Sequence, residues 1–198
     1  MPRRIEGAIK GAALREFLGW YATEQGPETT RRVIEDLPAE ARSWFDASQA
    51  SLGVLASTWY PAPAIHALLD RMTRGMTPAE RERFALEGSA VVMESTLSGL
   101  YKTLFRILAS PERYAQFAPK VWAHYYRSGT FHIEQPEPGR AVAHVRDWET
   151  HHPVLCDMNR GAAIVIYGNM NLSHVSVTRD ACLEQGDDEC QFTIRWAV

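Results

Sequence analysis

Charge of one sign, long apolar runs and cysteine are all scarce in this sequence, and each shortage excludes a class of function. Its 198 residues carry 21 Lys and Arg against 24 Asp and Glu, a net charge of -3, and the balance holds in both halves. A protein that binds nucleic acid or anionic lipid through bulk charge needs an excess of cations, so no nucleic-acid partner and no membrane partner is expected. Only Lys10, Lys102 and Lys120 are lysines, so a locally basic surface would be built from Arg. No run approaches the roughly 20 apolar residues of a membrane-spanning helix. Arg3 and Arg4 are followed by Glu6 and Lys10 rather than an apolar stretch, so no secretory signal is expected, and no lipidation motif is visible. Three cysteines cannot all pair internally, and reduced thiols in a cytoplasm are the expectation. No Gly-x-Ser-x-Gly elbow, P-loop or Gly-x-Gly-x-x-Gly motif occurs. Neither an enzyme nor a nucleotide cofactor is therefore expected. Cys156, followed by Asp157, would be a nucleophile only beside a base, and a structural thiol is the plainer reading.

What is present is ordinary for a globular chain: 45% hydrophobic and 23% charged residues, which suits one α+β domain over 1–198 with a helical part over 1–109 and a mixed part over 110–198. Ile5, Ile9, Ala12, Ala13, Phe17 and Trp20 follow a helical period that Gly26-Pro27 closes. Further helices are expected over Glu28 to Leu37, Ala39 to Phe45 and Ile65 to Met72, with Trp59 to Pro63 as a loop. Thr77-Pro78-Ala79-Glu80 has the form of a capping box. The apolar run Val91 to Leu108 predicts a buried central helix. Ser110-Pro111-Glu112 opens another, which Pro119 should bend. After Ser128-Gly129 the period changes to two. Phe131 and Ile133, then Ala141, Ala143 and Val145, predict a hairpin about Glu137-Pro138-Gly139. A helix from His152-Pro153 to about Leu172 and two strands, His174 to Leu183 and Glu189 to Trp196, complete a β-β-α-β-β half. If Cys182 faces Cys190, then Val175 and Val177 fall on the face opposite to Phe192, Ile194 and Trp196. A β-bulge that shifts the register is the expected remedy, leaving Arg179, Thr193 and Arg195 on a wet face.

Three groups of residues are candidates for function. Cys182 and Cys190 should meet across the last hairpin, with Cys156 on the preceding helix near the same end of the sheet. Phe117, Val121, Trp122 and Tyr125 share one helix face, read either as core or as the wall of an apolar pocket. Trp59 and Tyr60 lie among prolines and are candidates for an exposed patch. The pair His151-His152 reads as a helix cap, while His124, His132, His144 and His174 stand isolated.

The segment Cys182-Leu-Glu-Gln-Gly-Asp-Asp-Glu-Cys190-Gln-Phe192-Thr-Ile194-Arg-Trp196 resembles the C-terminal signature of the 4-vinyl-reductase-type (V4R-like) domain. It is nearest to a myxobacterial paralogous family of stand-alone proteins of similar length. That domain is grouped with nitric-oxide-sensing haem domains and TRAPP trafficking subunits in one ligand-binding superfamily of signalling and Golgi-transport proteins. The resemblance implies a zinc site at Cys156, Cys182 and Cys190. The Glu that completes the site in metal-binding members is replaced here by Arg179, which cannot ligate and whose charge opposes a cation. A fourth ligand would then come from His152, Asp157, Asp180 or Glu189. The haem sensors' Tyr-x-Ser-x-Arg motif is absent, Tyr125-Tyr126-Arg127-Ser128 having the letters in another order, so no haem is expected.

Two functions from different classes follow. The first is a non-enzymatic cytoplasmic sensory domain that encloses an apolar or aromatic small molecule and signals through a protein partner or homodimer, no output segment being visible in the sequence. The second is a structural adaptor resembling TRAPP subunits, with a filled core. A tetrapyrrole-reducing enzyme is implied only by the resemblance's name. A cavity of several hundred Å³ would favour the first reading.

Overall fold

The chain forms a small strand pair before its first helix. The structure, a computed structural model, describes residues 7–98 and 110–198, without the side chains of 98, 135 and 136. Strand β1 (Ala8–Lys10) runs antiparallel to β2 (Trp59–Pro61), with Ile9 opposite Tyr60. Two expectations are corrected here. The first helix begins only at Gly11, where a Cβ would meet the Leu55 carbonyl oxygen at 2.1 Å, and the Trp59 segment is a strand rather than a loop. Tyr60 is buried and its hydroxyl accepts the Leu55 N–H at 2.9 Å. Trp59 has Lys10 Nζ and Arg127 Cζ over its ring at 4.8 and 4.5 Å.

Helix α1 (Gly11–Glu35) is broken at Gly26, whose φ of +77° leaves the helical region just before Pro27. The expected stop is there, but the next helix follows without a gap. Helix α2 (Ala39–Arg42) is shorter than expected, because Trp44 and Phe45 donate to carbonyls three residues back instead of continuing the helix. Helix α3 (Ala62–Met72) buries Ile65, Leu68, Leu69 and Met72. Helix α4 (Pro78–Ser98) opens with the capping box: the Thr77 N–H donates to Glu80 at 2.7 Å, and the Glu80 N–H donates back to Thr77 Oγ1 at 3.3 Å. Of the predicted central helix Val91 to Leu108, residues 99–109 lie outside the described residues. Val91, Val92 and Met93 are only half-buried.

Helix α5 (Pro111–Tyr125) is capped by Ser110, whose Oγ accepts the Arg113 N–H at 3.3 Å, and it continues through Pro119. Strands β3 (Thr130–Glu137), β4 (Arg140–Arg146), β5 (Ser173–Ala181) and β6 (Glu189–Ala197) form an antiparallel sheet in the order β3-β4-β6-β5. Helix α6 (Pro153–Gly168) joins β4 to β5 and stops four residues short of Leu172. Register pairs Val145 with Cys190, Ala143 with Phe192, and Ile194 with both Ala141 and Val177. These side chains make the sheet's inner face.

The expected bulge is present, between Arg179 and Ala181, and it brings Val177 onto the face of Ile194. It also corrects the placement of Arg179. Opposite Phe192, Arg179 lies on the inner face, where it pairs with the buried Asp157 of α6 at 2.9 Å. Thr193 is on the outer face but only 3% exposed, its hydroxyl held by Asp180. One hydrophobic cluster draws on α1, α3, α5, α6 and the sheet. Among the described residues no helix is long and apolar enough to cross a membrane.

Candidate functional site

The three thiols meet at the N-terminal end of α6. Cys156 Sγ lies 3.7 Å from Cys182 Sγ and 3.8 Å from Cys190 Sγ, and the last pair is 3.9 Å apart. All three are fully buried and unbonded. The nearest further ligand atom is His151 Nε2, 3.5 Å from Cys182 Sγ, and all four ligand atoms lie within 4.8 Å of one another. Sulfurs about 2.3 Å from a tetrahedral zinc stand about 3.8 Å apart, and sulfur to imidazole nitrogen about 3.5 Å. The three sulfur–sulfur edges and the Cys182–His151 edge therefore have the lengths of a Cys3His zinc tetrahedron.

None of the four predicted partners stands in that fourth position. His152 caps α6, its Nδ1 accepting the Val154 N–H at 3.2 Å, and its Nε2 turns to Asp70 at 3.1 Å. Asp157 holds Arg179, Asp180 holds Thr178 and Thr193, and Glu189 holds Arg146 and His144. Burial raises the Asp157 carboxyl above the usual range, with Arg179 opposing the shift. Hydrogen bonds from Cys156 and Cys190 push the Cys182 thiol down, with His151 adding to the effect, while donation to its neighbours pushes Cys156 up. Arg179 is tied to Asp157, the residue that follows Cys156 on α6.

The second feature is a cavity of about 450 Å³ between α4, α5, α6 and the inner face of the sheet. Phe117, Val121, Trp122 and Tyr125 all line it, with Phe117 40% exposed. The space exists because Ala143 on β4 and Ala162 and Ala163 on α6 are small where they face it. Sequence reading missed them, since an alanine on an apolar face looks the same against a neighbour or against a void. Tyr126 stacks on Trp122 at 4.2 Å between centroids and accepts Asn159 Nδ2 at 3.3 Å. Burial pushes its phenol up to about 12 and raises Tyr114 and Tyr167 likewise. Tyr167 is fully buried, and its hydroxyl has no hydrogen-bond partner among the described residues. Trp148 connects the two features, packing edge-on against His151 at 5.1 Å and against Trp122 at 5.1 Å.

No protein-family model matches the chain, and no curated protein matches it in sequence. Solved structures do match. A mutant of the Fe(II) unliganded H-NOX protein from K. algicida has a TM-score of 0.70 at 16% identity, over 96% of this chain and 97% of that one. The H-NOX protein from S. oneidensis in the Fe(II)NO state scores 0.61 at 12% identity, over 96% and 100%. An oxygen-binding H-NOX domain related to soluble guanylate cyclases scores 0.62 at 6% identity, over 96% of each chain. The chain has the H-NOX fold.

That finding corrects the 4-vinyl-reductase resemblance: the structural neighbours are haem-NO/oxygen-binding domains, not V4R-like ones. The resemblance rested on the Cys–Gly–Cys–Phe hairpin, the upstream Cys156 and the order of elements from about Ser110 onward, whereas the H-NOX likeness covers 96% of the chain in three dimensions. The exclusion of haem is corrected with it. The neighbours bind haem on this fold, and at such low identity a missing three-residue motif is no ground for excluding the group. The residues present fit it. The cavity walls are apolar and aromatic, its volume is typical of a ligand pocket, and haem iron is held in proteins by His, Cys, Met or Tyr. Among the lining residues, burial keeps Tyr114, Tyr126 and Tyr167 in the phenol form. His124 on α5 is the imidazole donor at the cavity.

Proposed function

We propose that this chain is a non-enzymatic sensory domain whose cavity encloses a flat, largely apolar small molecule, with haem the first candidate. The observation that carries the reading is the 450 Å³ cavity holding an unpartnered buried hydroxyl at Tyr167. A buried polar group without a partner costs about 1–3 kcal/mol, and a ligand atom that meets it recovers that cost. The cavity among the described residues supports this reading over an adaptor, which calls for a filled core. Haem, when bound, would supply an iron site for a diatomic gas; His124, on the exposed end of α5, would hold it while the aromatic walls cover its apolar faces. The signal then leaves through a protein partner or a second copy, as ligand binding shifts the population of the state that partner meets.

A second site accompanies the first. The Sγ–Sγ distances of 3.7 to 3.9 Å support a structural zinc at Cys156, Cys182, Cys190 and His151, which ties β5 and β6 to the start of α6.

Native mass spectrometry of the purified protein, followed by haemin titration of the ligand-free form, tests the sensory reading. A retained organic adduct, or a saturable Soret band that Ala163→Trp abolishes and His124→Ala shifts, is the expected result. An adduct-free protein that binds neither haemin nor any apolar probe would overturn it.

A further inference from the structure

The polar groups at the cavity are unequally distributed in sign. Among the described lining residues there is no Asp or Glu, and the groups able to carry positive charge are Lys120 and His124. Four residues apart on α5, they share one helix face. Lys120 Nζ sits 5.7 Å from the centre of the Phe117 ring, which holds the ammonium against the apolar rim. It has no salt-bridge partner among the described residues. An ammonium beside apolar walls, with no acid to offset it, leaves positive potential where a ligand enters.

We propose that the cavity's ligand is an amphiphilic carboxylate, its apolar body lying between α5, α6 and the sheet and its anionic group meeting Lys120. This inference rests on the sensory reading above and specifies the class of ligand. A single ammonium is a point charge matched to a monoanion. A phosphate dianion calls for the several donors or the guanidinium fork that the lining lacks. The Tyr167 hydroxyl, unpartnered and fully buried, adds a donor for an acceptor atom away from the rim. Haem also carries carboxylates at its edge, one of which Lys120 would meet while the other faces solvent. The test therefore uses a metal-free probe, so that its outcome is independent of iron ligation.

The measurement is fluorescence titration with 1-pyrenebutyrate and with 1-pyrenebutanol, which share an apolar body and differ in charge. The wild type is expected to prefer the acid. Lys120→Gln is expected to weaken the acid roughly fivefold, the scale of a partly exposed ion pair, and to leave the alcohol unchanged. Ala163→Trp, filling the cavity, should abolish both, and circular dichroism checks that the variants fold. An acid-to-alcohol ratio unaltered by Lys120→Gln overturns the carboxylate assignment and leaves the sensory reading standing. Binding of neither probe, or binding that Ala163→Trp does not reduce in a folded variant, overturns both.

Discussion

His151 and His152 are chain neighbours with opposite surroundings, and the backbone explains it. His152 precedes α6 in an extended conformation, φ -148° and ψ 142°, and successive side chains in extended chain point to opposite sides. One imidazole therefore caps the helix and reaches Asp70, while the other faces Cys182. The sequence made the three cysteines legible, because the Gly186 turn sets Cys182 and Cys190 across a hairpin. The histidine was not legible: two adjacent histidines before a Pro fit a cap equally well, and nothing local says which one turns inward. The two should separate by experiment. His151→Ala is expected to weaken zinc at least tenfold in competition with a chromogenic chelator, since a closed structural site needs four ligands. His152→Ala should keep stoichiometric zinc and lose only the cap, about 1 kcal/mol of stability. A His151→Ala protein that holds zinc as tightly as the wild type would remove His151 from the ligand set.

At the scale of elements, the β5 bulge decides what lies under α6. A regular ladder would send Val177 and the Phe192–Ile194 row to opposite faces; the bulge between Arg179 and Ala181 aligns them and carries Arg179 inward as well. The clash of hydrophobic patterns on β5 and β6 was enough to predict a bulge from the sequence. The position of Arg179 was not, because its charge suggested water and its partner Asp157 sits 22 residues away on another element. Helices α3 and α5 were legible from their periods and caps, and the start of α4 from its capping box, whereas the separate buried helix expected from Val91 is, as far as Ser98, the continuation of α4. Strands β1 and β2 were not, having three residues each, too few to show alternation. Removing the guanidinium tests the buried pair. Arg179→Ala leaves the Asp157 carboxylate, 1% exposed, without a counter-charge and is expected to cost about 2–3 kcal/mol, somewhat below a fully buried pair because Arg179 is partly exposed. Asp157→Asn in the same chain should restore part of it. Urea midpoints of the single and double variants measure this; an additive loss in the double variant would mean that the pair is not coupled.

At the scale of the whole molecule, the cavity is the feature least visible in sequence, because an apolar helix face and an apolar strand face read alike whether they touch or stand apart. Its consequence reaches the entire fold through its phenols. Tyr114 and Tyr167 belong to the hydrophobic cluster that spans both halves, and Tyr126 stacks beside them on Trp122. Burial raises all three above the usual 10.0, so folding favours the protonated form. The sign follows from linkage: the contribution is fully present below about pH 10, where unfolded and folded phenols are both neutral, and is lost as pH rises toward the folded value. For Tyr126, held at about 12, the loss between pH 9 and pH 12 comes to about 2 kcal/mol. Because one core joins the halves, the fold should give way in a single transition rather than in two. Urea unfolding at the two pH values is the measurement: Tyr126→Phe should retain about 2 kcal/mol more than the wild type at pH 12, relative to pH 9. Equal losses in the two proteins would show that Tyr126 ionises without unfolding anything, and two separate transitions would show that the helical half and the sheet half do not share a cooperative core.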